Sequence, residues 1–369
     1  MNRVMTRSLG VLILNLWLIV TVLFLSACSP ASKPATESAA DPVPVLSYYY
    51  IWFDTQSWDR AKVDYPLLGR YSSSNIDVMR QHIQWAKAAG INGFIVSWKS
   101  TDKLNQRLDE LAQVAEEQNF KLAIIYQGLD FQRDPIPLNQ VDTDLSYFID
   151  HFADRPAFHL YDKPLVIWSG TWEYSRPDIQ KVVQGKRDQL LILASEKNVD
   201  GYSRLADLVD GDAYYWSSVN PDTNLGYGKK LVAMSEAVHQ HSGLWIAPAA
   251  PGFDARLIGG KTVVDRKDGK TLEAQFNTAL QSSPDAIGLI SWNEFSENSY
   301  IEPSEKYDRR YLDVLASIRH SSAPVVSEFD SSNPGDTQAN LNFLEVIALG
   351  FLGLLIVAGL LVVVWRNRG

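Results

Sequence analysis

Ile76-Asp-Val-Met-Arg-Gln-His-Ile-Gln-Trp-Ala-Lys-Ala-Ala-Gly90-Ile-Asn-Gly-Phe-Ile-Val-Ser-Trp98 reads as one helix followed by one strand. The pattern predicts a helix from Ile76 to Ala89, stopped by Gly90 as its C-cap glycine. An apolar, aromatic-ended strand follows from Gly93 to Trp98. The same alternation extends in both directions. Upstream lies the strand Leu46 to Trp52. Downstream come the helix Leu104 to Gln118, the strand Lys121 to Tyr126 and a helix near Asp142 to Ala153. Further strands are expected at Pro164–Trp168, Leu190–Leu193, Asp212–Trp216, Leu244–Ala247 and Ala286–Trp292. Helices are expected at Gly228–His241, Leu272–Leu280 and, closing the set, Tyr307–Ile318. Strands separated by helices pair in parallel through right-handed crossovers. Eight such units in about 275 residues match the length of an α/β protein of the (β/α)8 TIM-barrel type. A doubly wound open sheet is the rival architecture.

The two ends of the 369-residue chain are of another kind. Residues 1–28 carry a basic head with Arg3 and Arg7, an apolar run from Leu9 to Leu25, and Ser26-Ala27-Cys28. This is the pattern of a secretory signal, and Leu25-Ser26-Ala27-Cys28 resembles a lipobox with Cys28 as the lipidated residue. An uncleaved anchor helix is the alternative. Residues 343–365 are apolar, about the length that spans a hydrocarbon core. Arg366 and Arg368 in the tail, residues 366–369, place that end in the cytoplasm. Linkers rich in Ser, Ala, Asp and Pro occupy 29–44 and 321–342 and leave 45–320 as the central domain. The expected location is therefore the cell membrane, with the central domain on its extracytoplasmic face.

A formal net charge of −9 argues against nucleic acid as partner. The single cysteine excludes an intramolecular disulfide. The six histidines are scattered, and neither a zinc-type spacing nor a serine-nucleophile elbow occurs, so no metal and no cofactor is expected. The chemistry is carried instead by Ser291-Trp-Asn-Glu-Phe-Ser-Glu297, directly after the last predicted strand. Active sites of β/α barrels lie at the C-terminal strand ends. Glu294 and Glu297, three residues apart in a turn or first helical turn, fall on one side of the backbone. Glycoside cleavage uses such a carboxyl pair, and like charges among aromatic neighbours raise one pKa. A glutamate pair favoured by a helix dipole is the bland alternative. Trp52, Trp98, Tyr126, Trp168, Trp216 and Trp292 end predicted strands, as an aromatic cleft for sugars requires.

Ser291-Trp-Asn-Glu-Phe-Ser-Glu297, with Tyr300-Ile-Glu-Pro303, resembles the signature of glycoside hydrolase family 99, which contains endo-acting α-mannosidases and α-mannanases and related domains of polysaccharide-synthesis loci. Tyr48-Tyr-Tyr50-Ile-Trp-Phe53, Pro66-Leu-Leu-Gly-Arg-Tyr-Ser72, Asp212-Ala-Tyr-Tyr-Trp-Ser217, Pro251-Gly-Phe-Asp-Ala-Arg256 and Asp265-Arg-Lys-Asp-Gly269 agree in order. The resemblance implies an oligo- or polysaccharide substrate and a retaining, two-glutamate neighbouring-group route. Glu294 would act as base on the sugar 2-hydroxyl, and Glu297 as acid and then base. Asn293 would orient substrate or a glutamate, and Tyr50, Trp98, Tyr126, Gln127, Trp216 and Tyr300 would contact substrate. The chain departs from the family pattern at Ser296 and Asn298, where histidine and glycine are expected, and at Gln127, where a glutamate is expected. A noncatalytic glycan-binding or polysaccharide-assembly protein using the same cleft is the alternative function. A glycosyl-transferring domain would need a nucleotide-sugar site, for which the sequence offers no motif.

Overall fold

The computed structural model describes residues 43–319. Cys28, the expected signal segment 1–28, the expected linker 321–342, the apolar segment 343–365 and the tail 366–369 lie outside them, as does nearly all of the expected linker 29–44. Among the described residues no helix is long and apolar enough to cross a membrane.

The described chain alternates as the sequence predicts. β1 (Val45–Tyr50) leads to α1 (Ile76–Ala88) and β2 (Gly93–Trp98), then α2 (Asp102–Glu117), β3 (Lys121–Gln127) and α3 (Leu138–Phe152). Next come β4 (Leu165–Ser169), α4 (Arg176–Val183), β5 (Leu191–Leu193), α5 (Val199–Ser203) and β6 (Gly211–Ala213). The second half holds α6 (Tyr227–Gln240), β7 (Leu244–Ala249), the small strands β8 (Phe253–Asp254) and β9 (Val263–Val264), α7 (Lys270–Leu280), β10 (Ala286–Leu289) and α8 (Arg310–Ile318). Local signals account for the boundaries. The Asn75 side chain accepts the Asp77 and Val78 amides at the start of α1, and Gly90 beyond its end has φ +80°, a conformation glycine adopts without strain.

Eight parallel strands form one sheet in the order β5-β4-β3-β2-β1-β10-β7-β6. A parallel bridge between Ala194 and Asp212 brings the two edges together, so the sheet is a nearly closed barrel and the open-sheet alternative falls. Alternation along each strand divides the core. Leu46, Tyr48, Ile95, Ile125, Ile167 and Ile246 fill the barrel interior, whereas Tyr49, Phe94, Val96, Trp98, Tyr126 and Trp168 pack in the larger outer core with helix residues such as Ile83 and Phe148. Gly288 makes room for the buried Tyr48, since a Cβ there would come 3.0 Å from the Tyr48 ring.

Several predicted strands run too long. β10 stops at Leu289 and β6 at Ala213, so Ser291–Trp292 and Tyr214–Trp216 belong to the loops of the barrel mouth. Helix α4, absent from the sequence reading, sits between β4 and β5. Its N-cap Ser175 accepts the Asp178 amide and Pro177 lies in its first turn, a start signal that the neighbouring polar residues obscure.

Candidate active site

The loop after β10 is held from every side. The Ser291 amide donates to Ser299 O at 2.7 Å, and the Ile301 amide donates back to Ser291 O at 2.9 Å. Asn293 continues the sheet with its side chain. Its Oδ1 accepts the Tyr50 amide at 2.8 Å, and its Nδ2 donates to Tyr50 O at 3.0 Å. Phe295 stacks on Tyr300 with ring centroids 4.0 Å apart, and Tyr300 Oη donates to Asp64. The buried Arg266 donates to the carbonyls of Asn298 and Tyr300, and its guanidinium lies over the rings of Tyr300, Tyr307 and Tyr311. Beneath the loop, the buried Glu302 accepts from Tyr71 Oη and bonds His82 Nε2, each at 2.9 Å. Interlocking bonds of this kind fix side-chain geometry before any ligand arrives.

Glu294 and Glu297 project from this loop into a cleft of about 320 Å³ at the C-terminal end of the barrel. Glu294 is buried, and its Oε1 accepts the Ser296 amide at 2.9 Å. Burial first, and the neighbouring Glu297 second, push its carboxyl up to about 8, against the pull of the Ser296 amide and Lys62. Burial also raises the Glu297 carboxyl, while Arg133 opposes that shift. The pair therefore retains a proton at neutral pH, as a site needing one acid and one base requires. Tyr50 and Tyr215 share a hydroxyl–hydroxyl hydrogen bond of 2.7 Å. Both feel the two glutamates, and burial raises both phenols well above their ordinary value.

The cleft wall contains Tyr50, Gln127 and Trp216 of the predicted contact residues, together with Trp52. Four others are placed elsewhere. Trp98 and Tyr126 are fully buried. Their side chains point outward from the strands, where Trp98 Nε1 donates to Asn105 and Tyr126 Oη to Asp144 of the surrounding helices. Asn293 and Tyr300 are likewise sealed, the first clamping β1 and the second supporting the loop. Trp168 and Trp292 are also core side chains. The expected six-ring rim thus reduces to Trp52 and Trp216: Trp98, Tyr126 and Trp168 share the outward parity of Val96, Ile124 and Val166, whereas Trp216 lies beyond the end of β6 and reaches the cleft from the loop. Sequence reasoning missed Tyr215, Trp172, Arg133 and Lys197, all of which line the cleft. Inward parity with Ala213 marks Tyr215 in advance; Arg133 and Lys197 come from loops and Trp172 from the short 3-10 turn Thr171–Glu173, none of which carries such a periodicity.

A parallel barrel with a carboxyl pair at the mouth of an aromatic-walled cleft belongs to the glycoside hydrolase class. The chain is a member of glycosyl hydrolase family 99, whose model matches residues 53–319. Among curated proteins it is similar to the mouse glycoprotein endo-alpha-1,2-mannosidase, at 26% identity over 282 residues, 68% of this chain and 59% of that protein. It is also similar to the mouse glycoprotein endo-alpha-1,2-mannosidase-like protein, at 24% identity over 284 residues, 68% of this chain and 61% of that protein. The chain thus spans about three fifths of the length of these relatives. The solved family 99 endo-alpha-mannosidase from Bacteroides thetaiotaomicron, in complex with bis-tris-propane, shares the fold. Its TM-score is 0.68 at 23% identity, covering 76% of this chain and 97% of that one.

Proposed function

We propose that this chain is a retaining, endo-acting glycoside hydrolase of α-linked mannose-type or related extracellular polysaccharide, held at the cell membrane by its terminal segments. The observation that carries the reading is the Glu294–Glu297 pair on the cleft wall, Glu294 buried and Glu297 half-buried, with both carboxyls raised by burial. Family membership and the endo-mannosidase relatives support the substrate class. The basic and apolar signal segment ending at Cys28 and the apolar run 343–365 support the anchoring.

Glu294 takes the proton of the sugar 2-hydroxyl as that oxygen attacks the anomeric carbon. Glu297 gives its proton to the departing glycosidic oxygen. Water then loses a proton to Glu297 and opens the strained ring at the anomeric carbon, and Glu294 returns its proton to the 2-oxygen. Two inversions leave the configuration retained, and no enzyme–sugar ester forms. Burial and the neighbouring Glu297 raise the Glu294 carboxyl, whereas the productive form has Glu294 ionised and the proton on Glu297. Lys62, whose charge favours an ionised Glu294, helps to populate it.

The test is incubation of the full-length chain with a panel of α-linked mannans and other envelope glycans, with products read by mass and their anomeric configuration by proton NMR before mutarotation. Internal fragments released as the α-anomer are expected. β-Anomeric products would overturn the mechanism. Binding without any cleavage, unchanged in Glu297→Gln, would favour the glycan-binding alternative.

A further inference from the structure

The charged side chains of the cleft divide by position. Glu294 and Glu297 come from the β10 loop, whereas the other charged residues on its wall, Arg133 and Lys197, are cations. They stand on the β3–α3 and β5–α5 connections. β4 lies between these strands and across the ring from β10 in the strand order. Arg133 sits at the tip of a loop closed on itself by the Leu129–Pro135 bridge and by the Asp130 amide on Asp134 O at 2.9 Å. Lys197 Nζ lies 3.8 Å from the centroid of the Trp172 ring, which also lines the cleft. Both cations are exposed, and neither has an ion-pair partner among the described residues.

Asp134 follows Arg133 on the exposed turn, and two further acids near these cations are engaged elsewhere. Glu196, adjacent to Lys197, is buried and bonded to Arg204 at 3.0 Å. Asp130, beside the Arg133 turn, accepts the Gln132 and Asp134 amides, each at 2.9 Å. The remaining polar groups of this wall, including Gln127, Ser169 and Ser195, are neutral. In a chain of formal net charge −9, two unpaired cations facing one cleft stand against the background. Of the four charged residues on the cleft wall, two are the carboxyls of the β10 loop and two are these cations.

We propose that the cleft is built for an anionic glycan, whose carboxylate, phosphate or sulfate group is held between Arg133 and Lys197 while the ring of the same sugar lies against Trp172. Guanidinium and ammonium groups supply charge-assisted hydrogen bonds to such oxygens, and the indole takes the apolar sugar face. This rests on the hydrolase reading and adds the substrate's charge to it.

The experiment measures binding to the full-length chain in detergent, by quenching of tryptophan fluorescence, and product release in the same samples. Four probes are used: α-1,2-mannobiose, its 6-phosphate, its 6-sulfate and the corresponding uronic acid. At least one anionic probe is expected to bind about 10-fold or more tightly than the neutral disaccharide, an increment ordinary for one charge-assisted contact. The preference should shrink toward unity in Arg133→Gln/Lys197→Gln, survive in Arg133→Lys, and weaken with salt. Which anion is favoured separates carboxylate from phosphate or sulfate. Equal binding of all four probes, or a preference that persists in the double variant, overturns the proposal. Cleavage of the neutral probe with weaker binding of every anionic one would sink the inference and leave the hydrolase reading standing. Failure of all four to bind would count against both.

Discussion

Glu294 concentrates the account in one carboxyl. Its pKa, raised from 4.5 to about 8, makes two predictions with opposite consequences for activity and stability. A pair that must hold one proton loses its last one near pH 8, so kcat/KM should fall as pH rises through that value. In Glu297→Gln the repulsion from Glu297 is gone, and the Glu294 carboxyl should titrate lower, read by carboxyl-carbon NMR. Folding follows from linkage. A carboxyl whose folded pKa lies above its unfolded value binds protons more tightly when folded, so stability falls as pH rises from about 4.5 toward 8. Glu294→Gln should therefore raise the melting temperature at pH 7.5, by roughly 2–6 °C for a domain of this size, while abolishing turnover. An unchanged or lower melting temperature would show that the burial cost has been misjudged. The glutamate pair was legible in the sequence because it follows an apolar run, although the strand itself ends at Leu289 and a loop carries the pair. Trp98 and Tyr126 were misread because their strand position was considered without its parity, which Val96 and Ile124, outward neighbours two residues earlier, already indicate.

The loop from Ser291 to Glu302 is the element that carries the proposed chemistry. β10 ends at Leu289, and Asn293 replaces the lost ladder by bonding both backbone groups of Tyr50. Asn293→Ala should leave the barrel folded and lower kcat by about 10²-fold with a smaller change in KM, the expected cost of misplacing a reacting group by about 1 Å. Steady-state kinetics beside circular dichroism checks this; loss of fold, or wild-type kcat, would contradict it. At the barrel seam, Asp212 is buried, its Oδ1 accepts the Glu196 amide at 2.7 Å and its Oδ2 has no partner. Burial raises its carboxyl well above the ordinary value. Asp212→Asn keeps the acceptor and removes the titration, so its stability advantage over the wild type should grow as pH rises above about 4, followed by thermal melts across pH. The barrel strands could be read because each is a short apolar run. α4 and the hairpin β8–β9 escaped notice because turn chemistry and only two residues per strand define them.

The complete domain meets itself at its base. Arg319 Nη1 donates to Val43 O at 3.0 Å, so the described chain enters and leaves at the N-terminal ends of the strands, opposite the glutamates. Neither end reaches the cleft. Residues 43–319 alone should keep the turnover of the full chain within about 2-fold while losing its sedimentation with membranes. Soluble full-length protein would refute the proposed anchoring without touching the chemistry. Barrel and family were both accessible from one sequence, whereas the cations of the cleft were not, since Arg133 and Lys197 lie on loops whose course only folding reveals.

The most direct test compares wild type, Glu294→Gln and Glu297→Gln on one cleavable α-mannan oligosaccharide under single-turnover conditions, with affinity measured in parallel. Both variants are expected to bind the oligosaccharide and to cleave it at least about 10²-fold more slowly than the wild type, the range that positioned proton transfer supplies. Wild-type cleavage in either variant, with binding intact, would contradict the claim that these two carboxyls share the reaction.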